Sequence, residues 1–359
     1  MLGLIVIGLT TFMIFTLVKN ALFAKQLSSD DTYSGSIDLL IPIAKDSEFF
    51  LEPWLHSLHK LSSGQINIHI LLDAQNPTMD VWDQLKERLP HVTLHIFENR
   101  PLGARPIPWL LGNMANKVLS DIVIIGDPEL VPTEQAFLSV GKIIQDKKRP
   151  VYVIPQTAKI STLGEAIAIL NPTLALISVY GFRRLRRNIS YPLMSIAQGW
   201  MGMPVEVFKR LDLGHSVFAS WKEACSKRWD MEGTKYILTF GEKHLQRYYP
   251  ESASIHIFKM KSYWNELWNL EDKKGFTLYL VALFVWAFPV LFFFSHPFWS
   301  FASFILLAMY RFFSKIVFQE SIGSLVLHPI GALIWVGTFF WWLIDGLQAR
   351  WGLKTNLKR

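Results

Sequence analysis

The residues best suited to chemistry lie in the segment IVIIGDPELVP, residues 122–132. Four β-branched apolar residues lead directly into Asp127, Pro128 and Glu129, so the two acids fall on a turn after a strand. Carboxylates spaced in this way can share one divalent cation and a diphosphate, because a hard cation needs only one or two carboxylates beside phosphate oxygens and water. Asp-Pro-Glu is also ordinary turn chemistry, so a solvated turn is the alternative.

A second strand-end acid, Asp73, closes the apolar run INIHILLDA. The first part of the chain alternates two kinds of predicted element: strands at 36–44, 66–74, 92–98 and 121–127, and helices at 46–61, 79–89 and 113–119. This alternation predicts an α/β fold with a mostly parallel sheet. Ligands of open parallel sheets bind beyond the carboxyl ends of the strands, which is where Asp73 and Asp127 are expected.

Composition and hydropathy predict a membrane protein. Of the 359 residues 18% are charged, against about 25% in soluble chains, and the mean hydropathy is +0.25. The apolar residues 1–24 predict an uncleaved transmembrane anchor. Residues 261–359 predict an interfacial helix, then about three membrane crossings and a basic tail; the crossings are expected at 275–295, 297–318 and 323–346. The single cysteine, Cys225, excludes an intramolecular disulfide and a cysteine-rich metal site.

A soluble-looking domain, 36–260, lies between these apolar ends, and the order of its motifs resembles a known family. The motifs are IPIAKDSE, LLDAQNPTMD, RPIPWLLGNMANK, GDPE, AQGWMGMPVEVFKRLDLGH and WDMEGTKYILTFG. In this order they resemble the membrane-bound family 2 glycosyltransferases of GT-A fold. The similarity is strongest to the bacterial branch acting on hopanoid-associated and carotenoid lipids, and weaker to ceramide glucosyltransferases.

The resemblance implies a nucleotide-diphosphate sugar donor, expected to be a UDP-sugar. Asp73 would bind the uracil end, and Asp127 and Glu129 would hold the diphosphate through Mg²⁺ or Mn²⁺. The family usually has Gly-Lys where this chain has Gly-Asn, so a phosphate-facing cation is missing from the loop at 105–117. Arg105 and Lys117 are the candidates to replace it.

The resemblance also implies a catalytic base for an inverting transfer. Asp230 occupies that position, on a helix expected to begin there and to end at Gly241, although a helix cap is the alternative role for this acid. Trp229 stands where the family has a further acid, and the Gln-x-x-Arg-Trp signature is absent. These departures leave a second hypothesis open: a catalytically degenerate membrane binding or scaffold protein on the same fold.

The expected partners follow from the charge distribution. An apolar stretch near 162–182, followed by four arginines, predicts an interfacial helix on anionic lipid headgroups, which would bring the site to a lipid acceptor. Lys19 and Lys25 after the uncharged N-terminus predict a cytoplasmic catalytic domain on a multi-pass cell-membrane protein. The net charge of +7 clusters beside membrane segments, so nucleic-acid binding is not expected.

Overall fold

The computed structural model describes residues 1–23, 25–28, 30–43, 64–75, 92–127, 130–157, 178–179, 199–215, 220–241, 244–247, 260, 264–265, 267–268, 274–318 and 322–350. The chain divides into two compact units. The sheet unit contains Lys19–Ala158 and Tyr180–Tyr248, and the helical unit contains Met1–Val18, Lys159–Val179 and Tyr249–Arg359. The expected helices at 46–61 and 79–89 lie outside the described residues, as do the basic tail and all but Ser178 and Val179 of the expected interfacial helix.

The sheet unit is built on one eight-stranded sheet and one three-stranded sheet. The strands are β1 (Lys25–Gln26), β2 (Ile37–Pro42), β3 (Ile66–Asp73), β4 (Val92–Phe97), β5 (Ile122–Ile125), β6 (Leu130–Pro132), β7 (Val151–Ile154), β8 (Gln156–Thr157), β9 (Trp200–Pro204), β10 (Ile237–Phe240) and β11 (Leu245–Arg247). The large sheet has the order β1-β10-β7-β9-β5-β2-β3-β4, and the small one β6-β11-β8. The predicted α/β class with a mostly parallel sheet is confirmed.

Some of the described helices alternate with these strands along the chain, and the others form its apolar ends. They are α1 (Leu2–Phe23), α2 (Pro106–Met114), α3 (Glu134–Lys147), α4 (Val205–Arg210), α5 (Trp221–Met231), α6 (Lys274–Leu291), α7 (Pro297–Phe318) and α8 (Ile322–Arg350). A 3₁₀ turn, Leu213–His215, follows α4. Two apolar segments, Leu2–Asn20 in α1 and His328–Leu347 in α8, are long enough to cross a membrane.

Strand β9 is the antiparallel member of the large sheet, between β5 and β7. Its sequence, WMGMP, has little β propensity and is not a predicted strand. Gly202 is required there by packing, since a Cβ at this position would lie 2.6 Å from Val140 Cγ1 on α3. Tertiary contact therefore overrides the local propensity.

Asp38 ties the amino-terminal ends of three central strands together. Its carboxylate accepts hydrogen bonds from Asn67 Nδ2 (2.9 Å) and Ser120 Oγ (2.8 Å), as well as from the backbone N–H groups of Leu119 and Ser120. His69 Nε2 lies 3.2 Å from the same carboxylate. Burial alone would raise the pKa of Asp38, but these hydrogen bonds outweigh it and hold the pKa well below its ordinary value. Asp38 is therefore a structural carboxylate.

Two predicted helices are placed wrongly. The helix expected at 113–119 begins earlier, as α2, because Pro106 favours a first helical position, and the chain turns at 115–117. The helix expected at 230–241 does not form. Helix α5 ends at Met231, Gly233 adopts φ +63° beyond its end, and the chain then continues as β10.

The helical unit is held together by large aromatic side chains. Trp264 packs against Tyr279 of α6 and Trp335 of α8, with ring centroids 5.2 and 5.7 Å away. Its indole N–H donates to Thr338 Oγ1 at 3.2 Å. The segment around residue 264 therefore belongs to the same core as α6 and α8.

Candidate functional site

The carboxyl ends of β3 and β5 carry the two strand-end acids that the sequence singles out. Asp73 is the last residue of β3 and pairs with Phe97, the last residue of β4. Gly126 follows β5 and donates its N–H to Leu40 O at 2.9 Å, so Asp127 leaves the sheet at the same edge. This edge of the sheet is called the strand-end site below.

Asp127 begins a tight turn and faces a lysine. The N–H of Leu130 donates to Asp127 O at 3.0 Å, which returns the chain into β6. Lys222 Nζ lies 3.8 Å from Asp127 Oδ2, and the side chain of Asp127 is 23% exposed. Glu129, the second acid of the motif, lies outside the described residues.

Lys222, which lies near this carboxylate, belongs to the first turn of helix α5. Ser220 caps the helix by accepting a hydrogen bond from the backbone N–H of Lys222 at 3.2 Å. Lys222 is 7% exposed and Glu223 is 1% exposed, so both charged side chains are buried. Sequence reasoning missed both residues. The signal was present in Ser-Trp-Lys-Glu, a serine cap before a helical pattern with an acid at the third helical position.

Asp73 is held by an arginine that the sequence did not indicate. Arg100 Nε lies 3.2 Å from Asp73 Oδ2, and the N–H of Gln75 donates to the other carboxylate oxygen at 3.1 Å. Lys117 Nζ lies 4.5 Å from the centre of the ring of Phe97, the residue that pairs with Asp73. The structure therefore brings Asp73 and Lys117 to the same sheet edge and adds Arg100.

Arg105 is exposed and precedes α2, and its carbonyl accepts the N–H of Trp109 at 3.1 Å. Asn113 stands where the family has lysine, and its amide donates to Trp109 O at 2.9 Å. Gly112 beside it is fixed by packing, because a Cβ there would lie 2.2 Å from the backbone nitrogen of Gly214. Helix α2 thus has a glycine at the point where another backbone approaches closely.

Asp230 lies in the last turn of α5 and is exposed. The cap alternative for this residue is wrong, because Ser220 caps the helix and Asp230 lies at its carboxyl end. Eight residues separate Asp230 from Lys222, or about 12 Å along the helix axis. Trp229 is fully buried, which makes it a core residue.

A cavity of about 390 Å³ opens beside α2 and the 3₁₀ turn that follows α4. Its polar lining includes Asn113, Asn116, Lys209 and Asp212, and Trp109 adds an aromatic face. Its volume falls in the range of small-molecule sites.

The implied divalent cation fits the described part of the strand-end site poorly. One or two carboxylates suffice for such a cation beside phosphate oxygens, and of the predicted pair the structure describes Asp127 alone. A cation bound at Asp127 Oδ2 would also meet the Lys222 ammonium, which already lies 3.8 Å from that oxygen. We therefore derive no step through a metal ion.

Comparison with known proteins finds similarity in structure only. No protein family and no curated protein matches the sequence. The mannosyltransferase PcManGT from Pyrobaculum calidifontis, solved with GDP-Man and Mn²⁺, is 14% identical, with 98% of this chain and 99% of that chain covered and a TM-score of 0.48. TarS 1–349 from S. aureus, solved with UDP-GlcNAc, is 11% identical, with 88% and 92% covered and a TM-score of 0.41.

A third structure, 4-diphosphocytidyl-2C-methyl-D-erythritol synthase from Anaerococcus prevotii, is 13% identical. It covers 62% of this chain and 95% of its own, with a TM-score of 0.38. All three similarities are distant, so the function of this chain rests on the geometry of its own strand-end site.

Proposed function

We propose that this protein is a membrane glycosyltransferase that moves a sugar from a nucleotide-diphosphate donor, a UDP-sugar, to a lipid hydroxyl. The observation that carries the proposal is the strand-end site. Asp73 with Arg100 and Asp127 with Lys222 occupy the carboxyl ends of two parallel strands. Charged pairs at that edge suit a ligand with a polar base at one end and a diphosphate at the other.

The proposed reaction is an inverting transfer. A bond forms between the acceptor oxygen and the anomeric carbon, and the bond from that carbon to the diphosphate oxygen breaks, its electron pair leaving with the diphosphate. The acceptor proton passes to a carboxylate acting as general base. The resemblance gives this role to Asp230, whose exposed side chain is open to an acceptor. Glu223, which follows Lys222 in the first turn of α5 and is buried, is the second carboxylate to test.

The lipid acceptor and the membrane location are supported by the outward faces of the terminal helices. Phe12 and Phe15 of α1 are 50% and 65% exposed, and Phe298 and Phe301 of α7 are 73% and 63% exposed. Arg311 of α7 is instead buried. Apolar residues outside and a charge inside are typical of helices in lipid. We propose that α1, α6, α7 and α8 cross the membrane and that the catalytic domain is cytoplasmic.

The scaffold alternative loses part of its support. Trp229, which stands where the family has an acid, has a packing role in the core. Gly112 in α2 makes the close backbone contact with Gly214 although the next residue is Asn113 and not lysine. Three departures remain: Asn113 in place of lysine, Glu129 where the family has aspartate, and the absence of the Gln-x-x-Arg-Trp signature. A scaffold would bind a nucleotide without turning over the sugar, so donor turnover separates the two functions.

The decisive experiment follows sugar transfer by the full chain in lipid nanodiscs, using labelled nucleotide sugars and extracted membrane lipids. We expect a labelled lipid product with at least one UDP-sugar. Nucleotide binding without any product from a full panel of lipids and donors would favour the scaffold. The matched variants are Asp127→Ala, at the strand-end site, and Asp146→Ala, in an exposed ion pair with Lys142.

We expect Asp127→Ala to weaken binding of UDP by at least 10-fold, because it removes the carboxylate that positions Lys222. Asp146→Ala should bind UDP as the wild type does, since exposed i,i+4 pairs contribute little. Isothermal titration calorimetry measures both. Equal affinities in the two variants would contradict the assignment of the diphosphate to Asp127.

A further inference from the structure

The buried lysine at the strand-end site is unusual in its position. Lys222 is 7% exposed, lies in the first turn of α5, and directs its ammonium to the carboxylate at the end of β5. Removing a lysine charge from water is costly unless a negative partner compensates. Asp127 is such a partner, but its side chain is 23% exposed, so this pair sits at an edge that a ligand can reach.

A divalent ion at the same carboxylate would compete with the Lys222 ammonium, which lies 3.8 Å from Asp127 Oδ2. A metal ion in a diphosphate site bridges a protein carboxylate to phosphate oxygens and neutralises their charge. An ammonium has three N–H donors and one positive charge, so it can contact a carboxylate and phosphate oxygens together. Lysine is a common phosphate-binding residue for this reason.

We propose that Lys222 is the diphosphate-binding cation of this protein and that it bridges Asp127 to the nucleotide in place of a divalent metal ion. This inference rests on the proposed function, because it takes the nucleoside diphosphate of the donor as the ligand. Asp127 acts as a positioning residue that orients the ammonium. Lys222 stabilises the charge of the leaving diphosphate, and no proton has to move from its ammonium group.

The chain offers a matched control. Lys142 on α3 also pairs with an aspartate, Asp146, at 2.9 Å, but both side chains are exposed and belong to one helix. Lys222→Met keeps the unbranched side chain and removes the charge, and Lys142→Met makes the same change away from the site. Lys222→Arg keeps the charge with a different shape, and it provides a second variant if the methionine variant fails to fold.

The experiment titrates UDP and GDP into the full chain in nanodiscs, once with EDTA and once with Mn²⁺. We expect wild type and Lys142→Met to bind one of the two nucleotides in EDTA, with less than a threefold gain from Mn²⁺. Lys222→Met should lose about 10- to 100-fold in EDTA, the loss typical of charge-assisted hydrogen bonds. Lys222→Arg should retain part of the affinity.

Three outcomes would overturn the inference. Wild-type binding that appears only with Mn²⁺ would return the role to a metal ion. Unchanged affinity of a folded Lys222→Met in EDTA would make the Lys222–Asp127 pair structural only. Failure of the wild type to bind UDP or GDP under both conditions would instead overturn the proposed function, and the inference with it. The wild-type titrations show whether a metal ion is required, and Lys222→Met shows whether the lysine takes its place.

Discussion

At the scale of single residues, carboxylates at opposite ends of the strands have different tasks. Asp38, near the amino-terminal end of β2, is buried and saturated with hydrogen bonds. Asp127, beyond the carboxyl end of β5, keeps a partly exposed side chain beside its lysine partner. A carboxylate with many fixed donors holds the fold, and one with an open face is available to a ligand.

The titration of Asp38 and His95 predicts acid sensitivity. Burial, together with the charges of His69 and Lys117, lowers the pKa of His95 to about 4, so the unfolded chain gains this proton at a higher pH than the folded one. Stability should therefore fall as the pH drops from about 6.5 to about 4. The pKa of Asp38 is also lowered, so its contribution is present above about pH 4 and is lost as the pH falls further.

Thermal unfolding of the full chain at several pH values measures this dependence. Asp38→Asn should lower stability at neutral pH by about 2 kcal/mol, the scale of charged hydrogen bonds, and flatten the dependence below pH 4. His95→Gln should flatten it between about pH 6.5 and 4. If both variants lose stability at acid pH as the wild type does, Asp38 and His95 are not the origin of the acid sensitivity.

At the scale of elements, the contact between α2 and the 3₁₀ turn predicts an asymmetric response to alanine. A Cβ at Gly112 would lie 2.2 Å from the backbone nitrogen of Gly214, whereas a Cβ at Gly214 would lie 3.6 Å from Gly112 Cα. Gly112→Ala should therefore destabilise the fold by about 2 kcal/mol, the clash outweighing the gain in helix propensity. Gly214→Ala should be nearly neutral. Equal melting temperatures of the two variants would show that the elements can separate without cost.

Helix α5 is predicted to supply the general base, from one end or the other. Asp230→Asn and Glu223→Gln each remove a proton acceptor while keeping the size of the side chain. We expect one of the two variants to lose about 10²- to 10⁴-fold in transfer rate with UDP affinity retained. A loss in Asp230→Asn supports the role that the resemblance implies, and a loss in Glu223→Gln places the base in the first turn. Full rates in both variants would remove the base from this helix.

Local sequence predicted four of the eleven described strands, β2 to β5, and both strand-end acids. Strands β2 to β5 are apolar and β-branched, so Asp73 and Asp127 could be located without tertiary information. The partners of these acids could not be predicted in this way, because they are distant in sequence. Arg100 lies 27 positions after Asp73 (100 − 73), and Lys222 lies 95 positions after Asp127 (222 − 127). Strand β9 was not predicted because the packing of Gly202 against α3, a tertiary contact, determines its sequence.

At the scale of the whole molecule, the division into two units predicts that nucleotide binding can be separated from transfer to a lipid. The sheet unit has its own hydrophobic core, which includes Ile41, Ile124 and Val153. Deleting residues 275–359 should leave this core folded and UDP binding intact, while transfer to a membrane lipid is lost. Circular dichroism, calorimetry and the lipid assay measure the three properties. Full-rate lipid glycosylation by the truncated protein would show that the C-terminal helices do not form the acceptor site.

The pairing of the large sheet also has a consequence for biosynthesis. Strand β7 lies between β9 and β10, and β1 pairs with β10 at Lys25 and Thr239. Strand β1 is therefore synthesised early but cannot pair until β10, near the end of the sheet unit, has left the ribosome. A nascent or prematurely terminated chain that stops before Ile237 presents β7 with one open edge, and unpaired edges of this kind promote aggregation. Truncated chains that end between Ile154 and Ile237 should therefore aggregate more readily than the full chain.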